Sequence, residues 1–170
     1  FTMAPDGRRA VFNADRATAG TAELWSVALD GTGAVQKLSG TMAAGGGVIA
    51  GSRISPDGRT VAFAADKDTP GTAELYVAPI DGSAPPQKRS GAMGFGGSLS
   101  IQGTADIAWS PSGERIAYSA DQRFDGAYEL FVANADGSGA AVPIAGDLVP
   151  TASLIQYAWS PDGRHLAFNS

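Results

Sequence analysis

The chain has 170 residues, 44% of them hydrophobic and 17% charged, which supplies a sizeable core and excludes a disordered chain. Seventeen acidic residues against 12 basic ones give a net charge of −5, which argues against a nucleic-acid partner held through its phosphates. No apolar run approaches the roughly 18 residues of a membrane span, and the absence of cysteine excludes disulfides, thiolate zinc sites and a cysteine nucleophile.

The 23 glycines and 10 prolines point to many turns, and they are arranged in a repeat. Ala4-Pro5-Asp6-Gly7 returns as Ser55-Pro56-Asp57-Gly58, Ser110-Pro111-Ser112-Gly113 and Ser160-Pro161-Asp162-Gly163. Nine residues beyond the third position of each tetrapeptide stand Asp15, Asp66 and Asp121. Eight more lead to Glu23, Glu74 and Glu129, and seven more to Asp30, Asp81 and Asp136, each of these last followed by glycine. The length variation falls between that second Asp-Gly and the next proline.

In chain order, residues 24–27 and 35–38 are predicted as the third and fourth strands of a first unit. Residues 61–64, 75–77 and 87–89 are the second, third and fourth strands of the next. Residues 107–109, 116–119, 130–132 and 142–144 make a full set of four, and 166–169 begins another. Period-two alternation, β-branched and aromatic residues and the intervening Pro-Asp-Gly and Asp-Gly turns carry these assignments. Bulky groups lie on one face and alanines on the other, so each sheet is expected between two neighbours. Four-stranded units at a period near 50 residues are the pattern of β-propeller blades.

Ser160-Pro161-Asp162-Gly163-Arg164 with Ala167-Phe168, together with Glu74-Leu75-Tyr76-Val77 and Asp81-Gly82-Ser83, resembles the WD40-like (PD40) repeats of TolB-type propellers. The structural repeat motif is thus Pro5, Asp6, Gly7, Pro56, Asp57, Gly58, Pro111, Gly113, Pro161, Asp162 and Gly163. The expected fold is all-β, with about three blades of four antiparallel strands plus a terminal hairpin. Blade-like repeats are expected over residues 1–39, 48–90 and 104–145, with a partial one over 154–170. That count is an incomplete ring, expected to be part of a longer six- to eight-bladed propeller, six by resemblance; a homo-oligomer built from half-rings is the second reading.

The Asp/Glu pairs recur in every unit, and catalysis needs one site, so a structural role is expected: capping loop amides and meeting Arg59, Arg115 or a neighbouring blade. The weaker alternative is a calcium site at Asp66, Asp68 and Glu74; otherwise no cofactor is expected. His165, the sole histidine, occupies a position held by Arg9, Thr60 and Arg115 elsewhere, which suggests an exposed residue. No Gly-x-Ser-x-Gly elbow is present, so no catalytic residues are assigned. Gly45-Gly46-Gly47 and Gly94-Phe95-Gly96-Gly97 precede no predicted helix and are expected to be flexible loops rather than phosphate cradles.

The inter-blade connections, 40–52, 90–104 and 145–154, carry the functional weight. There Met42, Met93, Phe95 and Leu148 either anchor a protein or peptide partner or pack back onto the inner strands. The resemblance implies a non-catalytic protein- or peptide-binding scaffold in the periplasm or outside a bacterial cell. The alternative is the gating propeller of a prolyl-oligopeptidase-like serine peptidase whose catalytic domain is not in this chain. A carbohydrate-active or lyase propeller is a third reading.

Overall fold

The computed structural model describes residues 1–100, 107–144 and 156–169, and every regular element among them is a β-strand. The first sheet comprises β1 (Thr2–Met3), β2 (Arg9–Ala14), β3 (Glu23–Ala28) and β4 (Gln36–Lys37). The second comprises β5 (Val48–Ile54), β6 (Thr60–Ala65), β7 (Glu74–Pro79) and β8 (Gln87–Lys88). The third holds β9 (Ile107–Trp109), β10 (Arg115–Ala120), β11 (Glu129–Asn134) and β12 (Val142–Pro143), and β13 (Gln156–Trp159) and β14 (Leu166–Asn169) form a hairpin. Each sheet is an antiparallel meander, and the first strands lie side by side in the order β1, β5, β9, β13. This is a run of propeller blades, not closed into a ring.

The register repeats from blade to blade. Ala14 faces Glu23, Ala65 faces Glu74, and Ala120 faces Glu129 across the second and third strands. Alternation then sends successive side chains to opposite faces. On β6, Val61, Phe63 and Ala65 enter a core shared with Val11, Leu24 and Leu38 of the first blade. Ala62 and Ala64 enter a different core, shared with Ile116, Tyr118 and Phe131 of the third. Cross-strand rings stack in pairs, Phe63 on Tyr76 at 5.8 Å and Tyr118 on Phe131 at 5.6 Å between centroids. Tyr157, Trp159 and Leu166 of the last hairpin pack in the same sense against Ala117, Leu130 and Val132. Each aromatic face therefore rests on the smaller face of the blade before it. The middle blades are covered on both sides, whereas Phe168, the counterpart of Phe63 and Tyr118, is exposed on β14.

The connections 40–47 and 91–98 are equal in length. The extra length of the third blade falls between Leu99 and Ile107. There Leu99 bridges Ala120 and Ile107 pairs with Tyr118, so residues 100–106 intervene where the partner strand has Ser119 alone. In the second blade the same stretch is a milder irregularity, with register shifts between Val48 and Ala50 and between Ala50 and Arg53.

The Pro-Asp-Gly turns do two jobs. In the second blade the Gly58 amide donates to the Ser55 carbonyl at 2.9 Å, the Thr60 amide donates to Ser55 Oγ at 3.0 Å, and that hydroxyl donates to Asp57. Ser160, His165 and Asp162 repeat the pattern; Ser112 takes the carboxylate's place in the third blade, and Ala4 leaves the first without the hydroxyl. Glycine is called for by its backbone angle. Gly58, Gly113 and Gly163 have φ of 73°, 75° and 68°. A Cβ on each would sit 3.4–3.5 Å from Pro5, Pro56 and Pro111 of the preceding turn, so the turns stack in a row.

The Ser55 and Ser160 hydroxyls, with the Arg59 and Arg164 amides, hold the Asp57 and Asp162 carboxyls below the usual range. Thr32, Ser83 and Ser138 do the same for Asp30, Asp81 and Asp136. A depressed folded-state pKa stabilises fully above the unfolded value, about 3.9, and this contribution is lost as pH falls through the folded value. Thermal midpoints should therefore hold steady down to about pH 5 and drop below about pH 4. The double substitution Asp57→Asn, Asp162→Asn should flatten that drop; an equally steep acid limb would remove these two turns as its source.

Candidate functional site

The strand connections gather at two ends of the blades. The Pro-Asp-Gly and Asp-Gly turns occupy one. The hairpin loops 15–22, 66–73 and 121–128 and the inter-blade connections occupy the other, and nearly all the candidate residues fall there.

The repeated aspartates organise backbone amides at that end. Asp66 accepts from Gly47 N at 2.7 Å with one oxygen and from Gly71 N at 2.8 Å with the other, tying the hairpin loop to the incoming connection. Asp121 does the same with Ser98 N and Gly126 N, whereas Asp15 retains only Gly20 N at 3.4 Å. The repeated glutamates are buried beneath these loops. Glu23 pairs with Lys37 and accepts from Ala17 N at 2.9 Å. Burial pushes its carboxyl up, but the Lys37 ammonium and the Ala17 amide outweigh that and leave it below the ordinary value. Glu74 pairs with Lys88 at 2.9 Å and accepts from the Tyr76 hydroxyl at 2.8 Å.

Glu129 departs from this scheme. The register sets Lys37 opposite Trp25 and Lys88 opposite Tyr76, but Pro143 opposite Phe131. The missing cation comes instead from the hairpin loop, where Arg123 Nε donates to Glu129 at 2.7 Å and a second guanidinium nitrogen completes a fork. The cations at these glutamates are therefore Lys37, Lys88 and Arg123, not Arg59 or Arg115. Asp68, which occupies Arg123's place in the second blade, pairs with Lys67 at 2.9 Å and lies 3.0 Å from the Tyr76 hydroxyl. The structure thus gathers Asp68 and Glu74 on one phenol while Asp66 serves loop amides. Burial, then the two carboxylates, raise the Tyr76 phenol above its ordinary value. Among the described residues, no three histidine, aspartate or glutamate side chains are grouped to hold a metal.

Removing Arg123 leaves a buried carboxylate without its cation. Arg123→Gln should cost about 2 kcal/mol in a urea titration, the half-exposed guanidinium being partly screened. Adding Pro143→Lys, which restores the lysine of the other two blades, should recover at least half. No recovery would mean that the fork is not replacing the lysine.

The inner strands carry a second repeated contact. Trp109 Nε1 donates to the Arg53 carbonyl at 2.8 Å, and Trp159 Nε1 donates to the Ala108 carbonyl at 3.0 Å. In both, the indole reaches the residue before its own counterpart in the preceding blade. The Arg115 guanidinium lies 4.9 Å from the Trp159 ring and donates to the Gly163 carbonyl. Both indoles are half-buried, with their polar edge as a blade-to-blade staple. Trp109→Phe should cost about 1 kcal/mol through the lost hydrogen bond, and Trp109→Ala about 3 kcal/mol. Equal losses in denaturant titrations would show that ring packing contributes nothing there. His165 is exposed at the strand start, beside Asp162.

The glycine-rich connections form hydrogen-bonded turns. Gly46 N donates to the Ala43 carbonyl at 2.9 Å, and Gly97 N donates to the Gly94 carbonyl at 2.9 Å, closing two equivalent turns. Gly45 and Gly96 supply the positive φ at the third turn position. Ala43 N and Gly94 N dock on the Lys67 and Gln122 carbonyls, and Val48 N and Leu99 N reach back to Ala22 and Ala73 of the preceding blade. Met42 and Met93 pack against the cores between blades. Phe95, at the second position of its turn, is fully exposed. Leu148 lies outside the described residues. Sequence reasoning passed over Phe124, which is exposed in the neighbouring hairpin loop. The signal was available, since Thr18 and Thr69 occupy that fixed place in the other blades.

No protein-family model matches the sequence, nor does any curated protein. Solved structures do. TolB from Acinetobacter baumannii superposes with a TM-score of 0.58 and 19% identity over 96% of this chain and 35% of that one. A protein assigned as TolB from Agrobacterium tumefaciens gives 0.57 and 19% over 99% of this chain and 57% of that one. A puromycin-hydrolysing peptidase from Mycobacterium tuberculosis gives 0.58 and 20% over 98% and 27%. At these identities the likeness is one of fold: the chain has a TolB-like β-propeller fold. It spans less than two thirds of the length of each of these proteins.

Proposed function

We propose that this chain is a non-catalytic, TolB-like propeller scaffold that binds a protein or peptide at its loop end, in the periplasm or outside a bacterial cell. The observation that carries this reading is the division of labour at that end. The recurring carboxylates are committed to loop amides and ion pairs that build the scaffold, whereas large apolar side chains project from the loops into solvent. The fold shared with TolB supports it, and so does the net charge, which disfavours nucleic acid. Panning a random peptide library against the chain should recover a consensus sequence that binds saturably by calorimetry. Failure of every recovered peptide to bind would overturn the reading.

The likeness to a puromycin-hydrolysing peptidase favours a second reading, in which this segment gates access to a peptidase active site on other sequence. Fluorogenic peptide amides separate the two. Turnover by a longer natural form carrying this segment would overturn the non-catalytic scaffold.

A further inference from the structure

The internal repeat supplies its own comparison at the loop end. The second position of the connecting turn is Ala44 before the second blade and Phe95 before the third. In the hairpin loops, Thr18, Thr69 and Phe124 occupy one place, and the carbonyl of each accepts at 3.0 Å from Thr21, Thr72 and Ala127 respectively. Alanine and threonine thus build the same turns with the same hydrogen bonds, so the backbone requires neither phenylalanine. Neither reaches the core; both are exposed.

The two departures fall on turns that touch. Gly94 N donates to the Gln122 carbonyl at 2.9 Å, and a Cβ on Gly96 would come within 2.8–3.0 Å of the Asp125 carboxylate. Asp125 follows Phe124 directly and is exposed. With Asp121 it also raises the half-buried Tyr128 phenol, after the effect of burial. The adjacent cation, Arg123, sits 5.9 Å from the Phe124 ring but is forked onto Glu129. Two exposed phenylalanines on touching turns that also carry the Asp125 carboxylate, on a chain of net charge −5, suit an apolar side chain flanked by a cation.

We propose that Phe95 and Phe124 form a docking patch for a cationic segment of a partner protein, an apolar side chain lying across the rings and a lysine or arginine meeting Asp125. The patch rests on the protein-binding reading above and gives it a place and a ligand chemistry.

The probe is a fluorescently labelled hexapeptide alternating lysine and leucine, with a glutamate–leucine counterpart as control, titrated against the chain by anisotropy. The lysine peptide should bind saturably and at least about tenfold tighter than the glutamate peptide. Phe95→Ala with Phe124→Thr, the repeat's own residues, should weaken it about tenfold or more without shifting the thermal midpoint. Phe95→Ala alone, at a fully exposed site, should give part of that loss. Asp125→Asn should weaken the lysine peptide about threefold and leave the glutamate peptide unweakened. Undiminished binding by the double variant, or equal binding of the two peptides, overturns the patch, and so does absence of saturable lysine-peptide binding. The scaffold reading fails separately, only if the panned peptides also do not bind.

Discussion

The structure depends on one packing rule applied at each blade junction: an aromatic-bearing face of one sheet settles on the ring-free aliphatic face of the sheet before it. Phe63 and Tyr76 meet the first blade, Tyr118 and Phe131 meet Ala62 and Ala64 of the second, and Tyr157 with Trp159 meets Ala117 of the third. Alanines of the second and third blades, and Val11, Leu24 and Leu38 of the first, leave room that the rings fill at interior density. Because the second and third strands keep one register, the two faces of every blade are assigned at once. A one-residue slip would turn the rings into the wrong junction.

Polar repeats finish what the apolar faces begin. The Pro-Asp-Gly turns stack proline under glycine along one end, the tryptophan indoles staple neighbouring inner strands, and the aspartates fasten hairpin loops to incoming connections at the other end. The buried glutamates show how tightly this scaffold is held to its electrostatics. A carboxylate taken from water needs a cation, so where the fourth strand offers Pro143 rather than lysine, Arg123 enters from the loop. The same substitution places a guanidinium beside Phe124, which joins a structural compensation to the candidate binding end.

That end divides into what the fold uses and what it leaves over. Met42 and Met93 are absorbed into the cores, and Asp66, Asp68 and Glu74 are engaged by amides, Lys67, Lys88 and Tyr76. Phe95 and Phe124 are left over, as single-blade departures from positions where smaller residues serve. Function on a repeat scaffold is expected at such departures, because the repeated residues answer to a demand every blade shares.

The sequence by itself determined the blade pattern: the tetrapeptide turns, the fixed Asp and Glu spacing, the alternating strands and the short fourth strand are local signals read at a fixed period. The prolines and glycines are legible because they impose backbone angles independently of tertiary contacts. Only the tertiary structure decided which cation each buried glutamate finds, since Lys37, Lys88 and Arg123 reach equivalent sites from different elements. It also decided that the extra residues of the third blade fall between the Leu99–Ala120 and Ile107–Tyr118 pairings, because register, not loop composition, shows where pairing is interrupted. The fates of the methionines and phenylalanines likewise required three dimensions. Met93 and Phe95 are two residues apart in one connection, yet packing sets one against the core and leaves the other in water.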